Sequence, residues 1–429
     1  MSVGLRLLAK LDRASSEPEP LLKRIARWIG HRYAVLSPTI RHGFIEVSPA
    51  IFCRLHPAAE EVEIWVPDSA HLAVSANTST VGPGYHIFLC ELLREFAEEF
   101  SAVWQEESDD YLDEAEYFFT GDQQKVFDNM TEWLQAVAGS FFDGTLESMD
   151  RTALCMPIGI SYEADDFAIT PLGPRSREWL YETSKDGESG KDLFAWWKPG
   201  LSAEFFLGRA LAQMWTEVRW RPPINQSETT LLNSVAHGLL TAYKLDPALE
   251  FPWSEWREIL ELLGESSTET AFVRARHQSM PAVGYRRRNV TVDLPGHWGI
   301  RIPGAFSEFE PDGEGDLYAL DPPREIWFTS YRFTTPSPFE DFTTMKNRMI
   351  KDKPEYFREA EGYVSKAHIE EKIRENGKRY FVLGSSNRCP SQRAVCTILF
   401  SEPHEKDWAL EVWRSIRPPS RPDIGDGTA

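Results

Sequence analysis

The chain has 429 residues, of which 42% are hydrophobic and 12% aromatic, and its formal net charge at pH 7 is −20. This composition supplies enough apolar side chains for about three folded domains, and it excludes a collagen-like, low-complexity or mostly disordered protein. A strongly negative net charge disfavours binding to nucleic acid or to anionic lipid headgroups.

The first residues do not read as a secretory signal, because only the short apolar stretch 7–9 lies between Arg6 and Lys10. No apolar run approaches the roughly 18 to 20 residues that a membrane-spanning helix needs. The five cysteines are far apart and form no Cys-x-x-Cys pair, which is typical of reduced thiols. We therefore expect a cytoplasmic protein.

Residues 1–150 predict an acidic N-terminal α+β domain. A basic amphipathic helix at residues 20–33 could lie on a membrane surface, but its apolar stripe is better explained by packing on the domain that follows. Short alternating or β-branched runs predict a small sheet, and helical spacing predicts two more helices. The predicted strands are 43–47, 51–55, 62–66 and 72–75, and the predicted helices are 85–104 and 122–138.

Residues 151–265 predict a mainly helical, tryptophan-rich region. Apolar residues recur at helical spacing in four segments, and Ser202 and Ser227 are placed as N-caps of the second and third. Seven of the 15 tryptophans lie between Trp179 and Trp256. They could form a ligand cage or a platform for bases, but ordinary core packing is the favoured interpretation. The four segments are 171–181, 202–220, 227–243 and 252–263.

Residues 266–289 are polar and then basic, which predicts a linker, and residues 419–429 predict a disordered tail. Residues 290–418 predict a C-terminal α+β domain, in which a helix at 339–359 separates two groups of strands and a second helix at 405–416 ends the domain. The predicted fold class is therefore α+β and multidomain. It combines a small N-terminal sheet with helices, a helical middle, and a C-terminal antiparallel sheet flanked by helices.

The order of elements in the C-terminal domain resembles that of the Mog1/PsbP-like fold. The local details that carry this resemblance are residues 302–306 (Ile-Pro-Gly-Ala-Phe), the turn at Asp312 and Gly313, Asp321 with Pro322, residues 327–330 and residues 408–416. The resemblance covers about 130 residues and implies an antiparallel sheet with helices on its faces. Members of that fold mostly bind other proteins, so the resemblance implies binding by analogy.

The acidic residues supply the first candidate site. Residues 56–166 hold three Lys and Arg against 24 Asp and Glu, and only Arg94 interrupts twelve acids between Glu91 and Asp122. Such a field attracts a basic partner. The alternatives are a solvated face, or docking of the basic helix at 20–33 or of the arginines at 274–288. The candidate partner-binding residues are Glu95, Glu98, Glu99, Glu106, Glu107, Asp109, Asp110, Asp113, Glu114 and Glu116.

The junction at residues 75–86 supplies the second candidate site, because a strand that leads through glycines into a helix can bind an anion with backbone N–H groups. His86 could act there as acid or base. Alternatively, the Ser and Thr residues only cap the helix. His86 and Cys90 share a helix face, but two spaced ligands do not predict a metal site. The candidate anion-binding residues are Ser75, Asn77, Thr78, Ser79, Thr80, Gly82, Gly84 and His86.

The sequence contains no nucleophile elbow, phosphate-binding loop, dinucleotide fingerprint or zinc motif, so it predicts neither a catalytic residue nor a cofactor or metal. The favoured function is that of a non-enzymatic, bacterial-type intracellular protein whose acidic surface binds a basic protein, without nucleic acid or membrane. An inhibitor or immunity protein, or a DNA-mimicking decoy, would have this character. The alternatives are an enzyme or small-anion-binding protein that uses the 75–86 junction, and a structural subunit of a larger complex. The oligomeric state stays open.

Overall fold

The computed structural model describes two compact units of the chain. Unit 1 comprises Met1–Pro157, Ala164–Val218 and Asn225–Gly284, and unit 2 comprises Ile158–Glu163, Arg219–Ile224 and Tyr285–Ala429. The described residues are 3–11, 18–108, 110–141, 152–156, 160–276, 283–309, 316–332, 342–360, 362–374, 376–389 and 392–419.

The α-helices of the described residues are short to medium in length. None of them combines the length and the apolar character that crossing a membrane requires. In chain order they are α1 (Pro18–Arg32), α2 (Pro83–Phe100), α3 (Tyr117–Thr120), α4 (Gln123–Ser140), α5 (Arg177–Lys185), α6 (Ala203–Thr216), α7 (Gln226–Leu245), α8 (Trp253–Leu262), α9 (Phe342–Lys351) and α10 (Lys406–Arg414).

The strands form separate sheets in the two units. Those of unit 1 are β1 (Gly4–Leu11), β2 (Thr39–Ile45), β3 (Ser48–Arg54), β4 (Val62–Asp68), β5 (His71–Asn77), β6 (Ala102–Trp104), β7 (Thr152–Ala153), β9 (Ala168–Thr170) and β10 (Gly173–Arg175). Those of unit 2 are β8 (Ile160–Tyr162), β11 (Asn289–Leu294), β12 (Trp298–Pro303), β13 (Ser307–Phe309), β14 (Asp316–Asp321), β15 (Arg324–Arg332), β16 (Tyr356–Ala360), β17 (Tyr363–Ile373), β18 (Arg379–Cys389) and β19 (Gln392–Phe400).

Unit 1 is built on a six-stranded antiparallel sheet with the order β2-β3-β4-β5-β1-β6. The four predicted strands of this sheet overlap β2 to β5, whereas β1 was not predicted. The predicted helix 85–104 is wrong at its end, because α2 ends at Phe100 and Ala102–Trp104 form β6. Side chains alternate between the two faces. On one face Leu7 and Val74 pack with Ile25 of α1 in the main core, and on the other face Phe52 and Trp65 belong to a smaller cluster.

The predicted boundary between an N-terminal domain and a helical domain does not separate two cores. Trp196 and Phe205, from the predicted helical domain, lie in the same hydrophobic core as Leu7 and Leu89. Burial of these large aromatic rings joins the two segments, and both segments fall within unit 1. The boundary itself was placed at residues 144–151, which lie outside the described residues.

Two of the four helices predicted between residues 171 and 263 begin at other residues than the sequence predicted. Ser202 is the N-cap of α6, as predicted, and its hydroxyl accepts from the N–H of Phe205. The predicted cap Ser227 is wrong, because Asn225 caps α7 through its side chain. The predicted helix 171–181 is wrong in its first half, where β10 precedes the cap Ser176.

The tryptophans around these helices are packed against other aromatic rings. Trp196 and Trp256 are 1% and 0% exposed, and Trp253 stacks on Trp256 with ring centroids 5.5 Å apart. This agrees with the packing interpretation. Within the predicted linker, Thr268–Ala275 is a 3-10 helix whose Val273 is buried, and the two units divide after Gly284.

Unit 2 contains a three-stranded sheet, β12-β11-β8, and a seven-stranded sheet, β13-β14-β15-β19-β18-β17-β16. Both are antiparallel, as predicted. The predicted helix 339–359 is wrong beyond α9, because Lys353 adopts a φ of 49° and the chain then forms β16. Pro354 follows directly and cannot continue a helix. Residues 339–341 and the tail from 420 onward lie outside the described residues.

Candidate functional sites

The junction between β5 and α2 is filled by the protein itself. The N–H groups of Thr78 and Ser79 both donate to the carbonyl of Val3 at 2.9 Å, and the N–H of Gly84 donates to the carbonyl of Trp196 at 3.0 Å. The N–H of His86 donates within the helix to Gly82. The backbone donors that an anion would need are therefore already bonded to carbonyl oxygens.

The segment at residues 194–198 covers the start of α2. A Cβ atom on Gly84 would lie 2.6 Å from the carbonyl oxygen of Lys198 and from Cδ1 of Trp196, so this position tolerates only glycine. Thr78, Ser79, Thr80 and His86 are buried. Ser75 and Asn77 belong to β5, and the amide of Asn77 donates to a carboxylate, that of Glu60. These contacts leave little room for an anion among the described residues of the junction, and the anion site stays a prediction.

His86 instead belongs to a buried cluster with Asp113 and Cys90. Nε2 of His86 lies 3.0 Å from Oδ1 of Asp113, and both side chains are completely buried. The potential ligand atoms of the three residues all lie within 4.8 Å of one another. Oγ1 of Thr78 lies 2.8 Å from Nδ1 of His86 and donates to the carbonyl of Val3 at 2.9 Å.

Asp113 is charged although it is buried. Burial by itself raises the pKa of this carboxyl group, but the neighbouring His86 and the N–H groups of Phe118 and Ala115 lower it below its usual value. Those N–H groups donate at 2.7 and 2.9 Å. Burial and the Asp113 charge raise the pKa of the Cys90 thiol, with an opposing effect of Arg94. Asp113 therefore does not belong to a partner-facing surface.

Several of the remaining acidic residues lie along one edge of the unit 1 sheet, and Glu98 and Glu99 lie on α2. The stretch 105–114 runs beside β1: the N–H of Gln105 donates to Leu8, the N–H of Arg6 to Leu112, and the N–H of Glu114 to Gly4. Backbone hydrogen bonds to β1 therefore hold this stretch at residues 105, 112 and 114. We call its exposed carboxylates, with those of the preceding and following helices, the acidic edge; it consists of Glu98, Glu99, Glu106, Glu107, Asp110, Glu114 and Glu116. Asp109 lies outside the described residues.

Part of the predicted acidic set is already bonded within unit 1. Glu95 pairs with Arg32 of α1 at 3.0 Å, and Glu116 pairs with Lys125. A carboxylate oxygen of Glu114 accepts from the N–H of Gly4 at 2.7 Å, and one of Glu107 accepts from the N–H of Asp113 at 3.3 Å. Within the described part of the chain, no cation pairs with four carboxylates of the acidic edge, those of Glu98, Glu99, Glu106 and Asp110.

Three of the arginines at 274–288, the other predicted internal partners, contact groups outside the acidic set. Arg274 donates to the carbonyl of Glu265, and Arg276 donates to the hydroxyl of Tyr243 and lies over the ring of Trp253. Arg286 pairs with Glu308 at 2.8 Å. Within unit 1, the helix at 20–33 reaches the acidic residues through Arg32.

A cavity of about 360 Å³ in unit 1 was not predicted. It lies between α6, α7 and the turn at residues 34–37, and Arg209 and Gln213 line it from α6. Arg209 is 8% exposed and donates to two carbonyls, those of Leu36 and Leu55, at 2.6 and 3.2 Å. Oε1 of Gln213 is buried without a hydrogen-bond partner in the described chain. The sequence signal that could have indicated this cavity is Arg209, a single arginine within the apolar helical pattern of α6.

The guanidinium of Arg209 carries a buried positive charge. Burial, opposed by Glu217 and reinforced by Arg54, lowers the pKa of Arg209 to about 10, so the group stays protonated at neutral pH. Burial, followed by these two arginines, also lowers the pKa of His56. The wall of the cavity is therefore cationic.

Comparisons with known proteins identify no family. No family model matches the chain, and no curated protein matches it. Eleven chains of solved structures match, among them a crystal structure of a protein from Bacteroides thetaiotaomicron VPI-5482, 16% identical with a TM-score of 0.25. The match covers 30% of this chain and 48% of that chain, and it carries no argument about fold or function. The resemblance to the Mog1/PsbP-like fold stays a prediction.

Proposed function

We propose that the protein binds a basic protein partner through the acidic edge, in the manner of an inhibitor or immunity protein. The observation that carries this proposal is the exposure of four carboxylates, Glu98, Glu99, Glu106 and Asp110, without a cation in the described chain. Like charges held close together destabilise a fold by self-repulsion. A cationic surface on the partner neutralises these carboxylates, so that charge attraction contributes to the free energy of binding.

The backbone of the acidic edge favours tight binding because it is already ordered. Hydrogen bonds to β1 hold residues 105, 112 and 114, so a partner does not have to order the segment, which lowers the entropic cost of association. Large apolar side chains are exposed within this stretch and in the elements that flank it: Leu112 is 36%, Val103 of β6 67% and Phe119 of α3 45% exposed. Such side chains supply the apolar centre that protein interfaces use.

The internal ion pairs of this region do not compete strongly with a partner. In the pair of Arg32 with Glu95 the side chains are 57% and 43% exposed, and in the pair of Lys125 with Glu116 they are 44% and 53% exposed. Pairs this exposed contribute only about 0–1 kcal/mol. A cationic partner therefore displaces them at little cost.

Affinity capture with matched variants tests the proposal. The test variant neutralises Glu98, Glu99 and Glu106 to Gln and Asp110 to Asn. The control removes the same charge from exposed positions elsewhere in unit 1, by replacing Glu132, Glu182, Glu250 and Glu261 with Gln. We expect a basic protein to be retained by the natural chain and by the control, and lost by the test variant. Equal retention by both variants would contradict the proposal.

A second candidate function is binding of a small carboxylate in the cavity at Arg209. The observation that favours it is the buried guanidinium, which has no carboxylate at ion-pair distance in the described chain, beside the unpaired Oε1 of Gln213. A ligand with a carboxylate for Arg209 and a hydroxyl or amino group for Gln213 satisfies both. The volume of about 360 Å³ suits a small metabolite.

Thermal shift with acetate, lactate, succinate and citrate tests this second function. A ligand at a hundred times its Kd stabilises the protein by about 2.7 kcal/mol. We expect a hydroxy acid to raise the Tm of the natural chain but not that of the Gln213→Leu variant. That variant should itself be at least as stable as the natural chain, because it removes an unsatisfied buried oxygen. No shift with any of the four compounds would contradict carboxylate binding.

A further inference from the structure

The geometry of the cluster of His86, Cys90 and Asp113 differs from that of an ordinary histidine–aspartate hydrogen bond. Nε2 of His86 lies only 3.0 Å from Oδ1 of Asp113, yet this nitrogen has no hydrogen-bond partner within the described chain. The two groups are close enough for His86 to lower the pKa of Asp113, but the N–H direction of the ring is poorly aligned with the carboxylate oxygen for a hydrogen bond. Ligands of a shared metal ion have this relationship, because each points at the ion and not at the other ligand.

Cys90 supplies a third donor of a different kind. It follows His86 by four residues on α2, so both side chains emerge from one face of the helix. Asp113 comes from a separate part of the chain, and the candidate ligand atoms of the three residues lie within 4.8 Å of one another. Nitrogen, thiolate sulfur and carboxylate oxygen are all donors that zinc accepts in proteins.

Two of the three side chains are oriented by hydrogen bonds to groups outside the cluster, as metal ligands are. Nδ1 of His86 lies 2.8 Å from the hydroxyl of Thr78, which is itself bonded to the carbonyl of Val3. The oxygens of Asp113 accept from the N–H groups of Ala115 and Phe118. These contacts fix the imidazole ring and the carboxylate before any ion binds.

The charges of the three groups also match a divalent cation. All three residues are buried, with exposures of 0% to 1%, and a buried site with a net charge is costly. A neutral imidazole, a thiolate and a carboxylate carry two negative charges together, which one divalent ion cancels. Formation of the thiolate releases one proton to solvent.

We propose that His86, Cys90 and Asp113 bind a zinc-class divalent metal ion, which ties the segment that carries the acidic edge to α2. The inference does not depend on the function of that edge. The competing occupant of the same space is a proton on His86, which gives a buried imidazolium–carboxylate pair. The two occupants predict different metal contents and different spectra.

Expression in zinc- or cobalt-supplemented minimal medium distinguishes them. We expect about one metal ion per natural chain by elemental analysis, and a thiolate-to-cobalt charge-transfer band in the cobalt form. Cys90→Ser should lose the band and most of the metal. Cys53→Ser, which alters another buried thiol of unit 1, should keep both. Asp113→Asn should lose metal while it keeps a side chain of the same shape.

The metal content and the spectrum of the natural chain test the inference even if a variant fails to fold. A folded natural chain from either medium that holds no transition metal and shows no charge-transfer band overturns the proposal in favour of the proton. Retention of the full metal content by Cys90→Ser also overturns it. Loss of metal from the natural chain on treatment with a chelator, together with a lower Tm, supports it.

Discussion

Nη1 of Arg286 lies 2.8 Å from Oε1 of Glu308 in unit 2. Arg286 is 3% exposed, and Arg219 approaches the same carboxylate at 2.7 Å. Burial by itself raises the pKa of Glu308, but the two guanidinium groups lower it below its usual value. The carboxylate of Glu308, which belongs to β13, therefore pairs with two guanidinium groups that are partly or fully buried.

Replacement of Glu308 by Ala should destabilise unit 2 strongly. Removal of one partner of a buried ion pair typically costs about 3–5 kcal/mol, and here it removes the carboxylate that both guanidinium groups share. Glu163→Ala is the matched control, since its partner Arg301 is 44% exposed and exposed pairs contribute about 0–1 kcal/mol. The loss of stability in both variants is measured by urea unfolding, monitored through hydrogen exchange of the unit 2 strands. Similar losses for the two variants would contradict this account.

The same carboxylate predicts a pH dependence of unit 2. Because the pKa of Glu308 is lower in the folded protein than in the unfolded chain, it contributes stability above the unfolded value of about 4.3. This stability is lost as the pH falls through the lower, folded value. We expect the free energy of unfolding to fall more steeply below about pH 4.3 in the natural chain than in Glu308→Gln. Parallel pH profiles would show that Glu308 is not the titrating group.

Gly84 at the start of α2 should not tolerate even a methyl group. A Cβ atom there would meet the carbonyl oxygen of Lys198 at 2.6 Å, and overpacking of this kind costs about 1–3 kcal/mol. Gly30→Ala is the control, since nothing lies within 4 Å of its Cβ position in α1 and alanine favours a helix by about 0.5–1 kcal/mol. Thermal unfolding of unit 1 should shift down for the first variant and up for the second.

Salt should weaken retention of the basic partner. The screening length falls from about 10 Å at 0.1 M to about 3 Å at 1 M ionic strength, and the carboxylates of the acidic edge are exposed to solvent. Surface plasmon resonance should show an association rate that falls with added NaCl, with a smaller effect on dissociation. The variant neutralised at Glu98, Glu99, Glu106 and Asp110 should show a flatter dependence. Salt-independent association of the natural chain would argue against electrostatic recognition.

Local patterns predicted the elements whose signals lie within a few residues. Alternating apolar residues identified β2 to β5, and helical spacing with the cap Ser202 identified α6. β1 was missed because Arg6 and Lys10 were interpreted as charged flanks of a short apolar run, although both side chains point away from the main core. Pro354 is a local signal against the full predicted helix at 339–359, because proline cannot continue a helix.

The cluster around His86 could not be predicted, because Asp113 is brought to it by tertiary structure alone. The sequence placed His86 and Cys90 on one helix face, but nothing in it indicates that residue 113 pairs with β1. The contacts that fill the junction between β5 and α2 could not be predicted for the same reason. Trp196, which covers the start of α2, lies more than a hundred positions further along the chain.

Carboxylate footprinting tests the central claim most directly. The natural chain, alone and with the retained basic protein, is treated with a carbodiimide and an amine, and labelling of each carboxylate is read by mass spectrometry. We predict that the partner protects Glu98, Glu99, Glu106 and Asp110 from labelling and leaves Glu132, Glu182, Glu250 and Glu261 unchanged. Unchanged labelling of the first four carboxylates in the complex would contradict binding through the acidic edge.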